Sequence, residues 1–343
     1  MPAVRTSLAV AALTSIVSAS TIPYQIFYHT DSNASMPYSD APVMYSEWAN
    51  AAYRHVETYD SSNFFKQFQF ITGPDPTHGY VDYVTHSEAL RSGIANTNNR
   101  KVHIGVDHTT YNPSGGRKSI RLSSLRTYTH GLFIADIEHM PSSACGSWPA
   151  FWTFGSGWPN QGEIDIIEGV NAALSNTITL HTSPGCVINV DGSQDGTSST
   201  GTNCNAGNGN SGCGVTTRAP YGDTFNSQGG GVYAMQWESS GVYVWFFPRD
   251  RIPADISHGA PRTQNWGLPI VAFNGGPACN VDEHFANHNI IFDTTFCGDW
   301  AGSVWSQGSC AHRADTCQEY VANNPGAFVD SYWSINSLKV YQL

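Results

Sequence analysis

The stretch Gly162-Glu163-Ile164-Asp165-Ile166-Ile167-Glu168-Gly169 sets three carboxylates among three isoleucines, between two glycines. Ile suits the inside of a strand. Carboxylates do not, because a buried charge is costly unless paired. A strand that carries both has a use for its acids. Side chains alternate along a strand, so Glu163, Asp165 and Ile167 would share one face, and Ile164, Ile166 and Glu168 the other. One extra residue near Ile166-Ile167, a β-bulge, returns Glu168 to the face of the other two acids. The stretch therefore predicts a bulged strand with one acidic face. The plainer alternative is an acidic strand on a solvated surface.

The surroundings argue against the plainer alternative. Trp148-Pro149-Ala150-Phe151-Trp152 and Trp158-Pro159-Asn160 lie just ahead of the acids, and Val170-Asn171 follows them. Together these residues resemble glycoside hydrolase family 16. They are most similar to its fungal laminarinase-type endo-β-1,3(4)-glucanases, which carry E-x-D-x-x-E. Further matching stretches, in order, are Asp75-Pro76-Thr77-His78-Gly79, Asp107-His108-Thr109-Thr110, Thr179-Leu180-His181-Thr182, Val244-Trp245-Phe246-Phe247-Pro248-Arg249 and Thr295-Phe296-Cys297-Gly298-Asp299-Trp300-Ala301-Gly302. The similarity runs from about Tyr53 to the C-terminus.

The resemblance implies an all-β fold, a β-jelly-roll sandwich of two antiparallel sheets with a concave substrate cleft. It implies retaining hydrolysis of β-1,3- and mixed-linkage β-1,3/1,4-glucans, with Glu163 as nucleophile, Glu168 as general acid/base and Asp165 assisting Glu163. A retaining pair sits ~5–5.5 Å apart, whereas Glu163 and Glu168 on a straight strand would be roughly 16 Å apart. The bulge, sheet curvature and two long Glu side chains would have to close that gap. Like charges so close should leave one acid protonated and one ionised. The resemblance also places Trp152, Trp158 and Trp300 along the cleft, His181 near the reaction centre, Arg121 on sugar hydroxyls, and Tyr83 in contact with substrate. Trp148 fits the core as readily as the cleft. No cofactor and no metal is required, and the partner is a β-glucan polysaccharide or oligosaccharide. The stretch Thr153-Phe154-Gly155-Ser156-Gly157 is more apolar and shorter than the family pattern, which leaves fine specificity open. Two rival readings keep much of the pattern: a transglycosylase of the same family, and a lectin-like β-glucan-binding protein without turnover.

Composition narrows the field independently. Only 13% of the 343 residues are charged, and the net charge is −11. The 16 Lys and Arg form no basic run, which excludes a nucleic-acid partner. Ten Trp and 16 Tyr supply flat apolar faces with polar edges, which suit both core packing and sugar rings. Arg5, the apolar run Leu8–Val17 and Val17-Ser18-Ala19 read as a secretory signal peptide over residues 1–19. Residues 20–52 read as an N-terminal extension of unassigned role, and 53–343 as the catalytic domain. That predicts a secreted, extracellular monomer with no membrane partner. The eight cysteines then favour disulfides, with Cys204–Cys213 and Cys310–Cys317 expected as short local loops. Asn33-Ala34-Ser35 is an N-glycosylation acceptor.

Along the chain, Ser46–His55 suggests one or two helical turns. Strands are expected from Phe64 onward, with Phe64, Phe68 and Phe70 on one face. Others are expected at Tyr80–Val84, Lys101–Asp107, Ser119–Leu125, Gly131–His139 and Tyr332–Tyr341. A short helix is expected at Cys317–Asn323, stopped by Asn324-Pro325-Gly326. Thirteen His invite a metal reading, but none falls in H-E-x-x-H. Gly207-Asn208-Gly209-Asn210-Ser211-Gly212 matches G-x-G-x-x-G but has neither the strand before nor the helix after that a nucleotide site needs. It reads as a stapled surface loop.

Overall fold

The computed structural model describes residues 53–194, 201–207 and 211–343. The signal-peptide and extension assignments, the Asn33 acceptor and much of the glycine-rich loop lie outside the described residues.

In chain order the strands are β1 (Arg54–Tyr59), β2 (Phe68–Ile71), β3 (Val81–Tyr83), β4 (Ala95–Asn96), β5 (Val102–Ile104) and β6 (Arg117–Ser119). Next come β7 (Arg121–Ser124), β8 (Gly131–His139), β9 (Ser147–Gly155), β10 (Glu163–Glu168), β11 (Ser175–His181) and β12 (Cys213–Pro220). The last are β13 (Gly231–Glu238), β14 (Gly241–Pro248), β15 (Val271–Asn274), β16 (His288–Phe296) and β17 (Trp333–Gln342). Two large antiparallel sheets form the expected jelly-roll sandwich. One runs β12-β11-β10-β9-β16-β7-β2 and carries the acidic strand near its middle. The other runs β15-β14-β13-β8-β17-β5-β4, with β1 also on β17. Strands β3 and β6 make a separate parallel pair.

The core lies between the sheets. Phe151, Ile164, Ile167, Leu180 and Phe292 of the acidic sheet meet Phe133, Ile137, Met235, Trp237 and Val340 of the other. Each such buried side chain contributes about 1.5–3 kcal/mol. The second sheet is apolar over much of its outer face too. There Leu132, Ile134, Val232 and Trp245 pack against Ile256 and Trp266, from short helical segments laid over it. Toward the end of β8 that outer face turns polar, with Asp136 bonded by Arg249 and Asn336 and Glu138 by Lys101.

Local expectations fare unevenly. Strand β8, the closing strand and the helix Cys317–Asn323 form where alternation and stop signals put them. Of the helical turns expected over Ser46–His55, residues 46–52 lie outside the described residues, and Arg54 and His55 belong to β1. Strand β5 pairs with β17 only over Trp333–Ile335, and β1 fills the rest of that open edge. Phe64–Gln67 is a single helical turn rather than strand. Side chains of Asp60 and Asn63 bind backbone there and start the turn. Phe64 and Phe68 still stack, at 4.3 Å, since a spacing of four serves both periods. The Cys204–Cys213 disulfide forms, but Cys310 joins Cys145 and Cys317 joins Cys297. Cys186–Cys279 is the fourth. The expected Cys310–Cys317 link fails because each sulfur faces a different distant segment.

Buried His288 ties the acidic sheet to the loop ahead of β10. Its Nε2–H donates to the Gln161 carbonyl at 2.6 Å, and its Nδ1 accepts from the Thr153 hydroxyl at 2.8 Å. Burial pushes the imidazole down to about 4, against the pull of the Gln161 carbonyl. A His with a lowered pKa stabilises the fold while neutral and loses that contribution as pH falls from its unfolded to its folded value. The wild type should therefore lose ~3 kcal/mol relative to His288→Leu between pH 6.5 and 4. Urea midpoints across that range measure it, and a gap that stays constant with pH would contradict it.

Candidate active site

The bulge lies where the sequence requires it. Against β9, Asp165 pairs with Trp152 but Ile167 pairs with Phe151, so Ile166 is extra. Against β11 the register slips by one residue over the same interval. As a result Glu163, Asp165 and Glu168 face Phe154, Trp152 and Ala150 on one side. They face His181, Thr179 and Thr177 on the other. Each set of partners keeps one parity, so all three acids project from one face of the sheet. The intervening isoleucines turn into the core. Gly162 starts the strand with φ +73°, and a Cβ there would collide with the Phe285 ring and the His284 carbonyl.

A bulge leaves backbone groups without ladder partners. Here Asn176 on β11, fully buried, takes up both. Its amide nitrogen donates to the Ile166 carbonyl at 2.8 Å, and its oxygen accepts from the Glu168 N–H at 2.9 Å. Sequence reading missed this residue. Its signal was an Asn inside an otherwise β-favouring strand, where Asn is depleted.

The electrostatics divide the acids. Burial raises the Asp165 carboxyl well above the usual range, and the charge and hydrogen bond of Glu163 add to this. Burial thus favours the neutral carboxyl of Asp165, beside Glu163. His181 lies alongside, Nε2 at 3.3 Å from Asp165 Oδ2. Burial also raises Glu168 strongly, helped by the Asp165 charge and opposed by the Trp148 N–H. A carboxylic acid still protonated near neutrality can give its proton to a leaving group. Among the described residues, Glu163, Asp165 and His181 are also the one group whose ligand atoms approach closely enough to hold a metal, all within 4.8 Å.

Aromatics frame the acids. Trp152 lies beside Asp165, and its indole N–H donates to Asp293 at 3.2 Å. Trp158 stands 48% exposed on the loop between β9 and β10. Trp300 lies in the π-helical turn Gly298–Gly302. It meets Trp148 edge to face at 5.6 Å. Trp148 itself donates to Glu168 Oε1 at 2.8 Å, so it belongs to the site and not to the core.

The other sequence candidates form a second layer. Arg121 lies over the Trp152 ring at 5.0 Å, with Asp293 at 3.4 Å and Asp75 at 3.8 Å. Asp293 is pushed up to about 6 by burial, against Arg121 and the Trp152 N–H. Tyr83 is buried near the charges of Asp293 and Asp75, with the Thr295 side chain beside its hydroxyl. Asp75 and Asp293 were not singled out from sequence. Asp293 carried the same signal as the motif, an acid inside an apolar strand.

The chain has well-defined relatives. A family model described as "XgeA-like, catalytic GH16 domain" matches residues 68–341. A probable endo-1,3(4)-beta-glucanase of Aspergillus fumigatus is 46% identical over 299 residues, covering 84% of this chain and 45% of the relative. The chain thus spans less than half the length of that relative. A solved structure described as an elongating GH family 16 beta-1,3-glucosyltransferase is 43% identical, with TM-score 0.79 over 84% of this chain and 100% of the other. Laminarinase 16A from Phanerochaete chrysosporium, solved with beta-glucans in both donor and acceptor sites, is 42% identical. Its TM-score is 0.77, over 85% of this chain and 100% of the other.

Two measurements test this geometry. Asn176→Ala strands two buried backbone groups and should cost about 2–4 kcal/mol in stability. It should also lower kcat by about 10²-fold through displacement of Glu168, with a smaller change in KM. A carboxyl whose folded pKa is raised stabilises the fold below its unfolded value, and that contribution is lost as pH rises through the folded one. Glu168→Gln and Asp165→Asn should therefore raise the unfolding midpoint at pH 7 more than at pH 4. Calorimetric scans at both values check this, and equal shifts would contradict it.

Proposed function

The chain belongs to glycoside hydrolase family 16, and on that footing we propose that it is a secreted, retaining endo-β-glucanase acting on β-1,3- and mixed-linkage β-1,3/1,4-glucans. The observation that carries this reading is the single acidic face of β10, where the bulge brings Glu163, Asp165 and Glu168 to one side and burial raises Asp165 and Glu168. Glu163 attacks the anomeric carbon while Glu168 protonates the departing glycosidic oxygen. The glycosyl-enzyme forms and the leaving chain departs with that proton. Glu168, now ionised, takes a proton from water, which attacks the same carbon and releases Glu163. Asp165 donates its hydrogen bond to Glu163 and eases its departure. Trp152, Trp158 and Trp300 offer ring faces to the sugars, His181 and Arg121 polar contacts beside them, and Tyr83 backs Arg121. No cofactor enters these steps.

Residues 1–19 act as signal peptide, 20–52 as an extension, and 53–343 as the catalytic domain, working as a monomer. Four disulfides suit an oxidising, extracellular setting. No helix among the described residues is long and apolar enough to cross a membrane.

A second reading has specific support, because one of the two similar solved structures above is described as an elongating glucosyltransferase. There a glucan hydroxyl replaces water in the second step, with the same residues. Reducing-sugar release from laminarin and lichenan, with none from carboxymethylcellulose or agarose, is the expected result. Early products should carry the β-anomer by NMR, and Glu163→Gln should lose at least ~10³-fold in kcat/KM. Chain lengthening without net new reducing ends would favour the transferase. No turnover of any glucan by the folded protein would overturn both readings.

A further inference from the structure

A general acid/base has two carboxyl oxygens, and the reaction needs a particular one to hold the proton. Glu168 Oε1 accepts the indole N–H of Trp148 at 2.8 Å. An indole nitrogen is a donor only and does not titrate in the working range of a carboxyl. Oε1 is thereby kept as an acceptor, which favours Oε2 as the seat of the acidic proton. The other groups facing Glu168 impose no such choice. Glu163 and Asp165 on its own strand and Tyr221 beyond β12 act on it as charges or dipoles, as does His181 on β11.

Trp148 is itself held firmly. Its ring meets Trp300 edge to face. The Asn171 side chain ties both ends of this frame, accepting from the Gly146 N–H and donating to the Ala301 carbonyl. Disulfides Cys145–Cys310 and Cys297–Cys317 anchor the same two segments.

We propose that Trp148 is the positioning residue of the acid/base: its N–H fixes Oε1, leaves Oε2 for the glycosidic oxygen and then for water, and steadies the carboxylate between the two steps. This rests on the retaining-glucanase reading above. In the first step the Oε2 proton passes to the leaving oxygen, and the Trp148 bond becomes charge-assisted. In the second, a water proton returns to Oε2.

Trp148→Phe keeps an aromatic ring and removes the donor. Without that bond the ionised form is less favoured, so the Glu168 pKa rises. The alkaline limb of kcat/KM on laminarin should move up by about one pH unit, and kcat on natural glucan should fall. Trp300→Phe, which trims ring packing and a sugar face but leaves the Trp148 N–H on Glu168, should lower activity with the limb in place. Should Trp148→Phe fail to fold, benzothienylalanine at position 148 has nearly the same shape without an N–H, and the same shift is expected. The Glu168 carboxyl can also be titrated by NMR in 13C-glutamate-labelled protein, its signal identified by loss in Glu168→Gln. That reading needs no substrate, so it separates failure of this proposal from failure of the glucanase reading. A folded Trp148 variant with limb and titration where the wild type has them would overturn the proposal.

Discussion

The structure turns on one extra residue in a strand. Ile166 lets β10 keep its isoleucines in the core while Glu168 crosses to the face of Glu163 and Asp165. Without it, either Glu168 would be driven into the apolar layer or Ile167 would be lost from it, and a buried lone carboxylate is among the costlier placements a fold can make. The two backbone groups that the bulge frees fall to one buried amide, Asn176. Catalytic geometry and core packing are therefore solved at the same point, and a change at Asn176 disturbs both.

The rest of the chain holds that face rigid and dry on one side and open on the other. The second sheet is apolar toward the core and over much of its outer face, so it acts as a backing plate. Rigidity around the acids comes from short-range ties in otherwise irregular segments. His288 pins the loop before β10, while Asn171 and two disulfides pin the segments that bear Trp148 and Trp300. The Arg121, Asp293 and Asp75 cluster fixes Trp152 through a ring contact and a hydrogen bond. The acids in turn are kept where burial raises Asp165 and Glu168, a cost in stability at neutral pH that the proposed chemistry uses.

Much of this was legible in the sequence, for physical reasons that differ by residue. The bulge was readable because an E-x-D-x-x-E spacing conflicts with a period of two, and only an insertion reconciles it with a buried Ile run. Strand β8 and the helix at Cys317 were readable because alternation, caps and a proline stop agree there. The turn at Phe64 was not, since a spacing of four satisfies helix and strand alike and the deciding bonds come from Asp60 and Asn63. Cysteine pairing was misjudged at Cys310 because proximity in the fold, not along the chain, selects partners. The role of Trp148 depends on the register between β9 and β10, and the role of Asn176 on that between β10 and β11. Register across strands is a tertiary quantity that a single sequence carries weakly.

The most direct test of the account is covalent. Incubation with a 2-deoxy-2-fluoro laminari-oligosaccharide bearing a good leaving group should trap the glycosyl-enzyme, and peptide mass spectrometry should find the sugar on Glu163. Label on Asp165 or Glu168, or full turnover of glucan with no trapped intermediate under any condition, would contradict the assignment of nucleophile and with it the double-displacement reading of this strand.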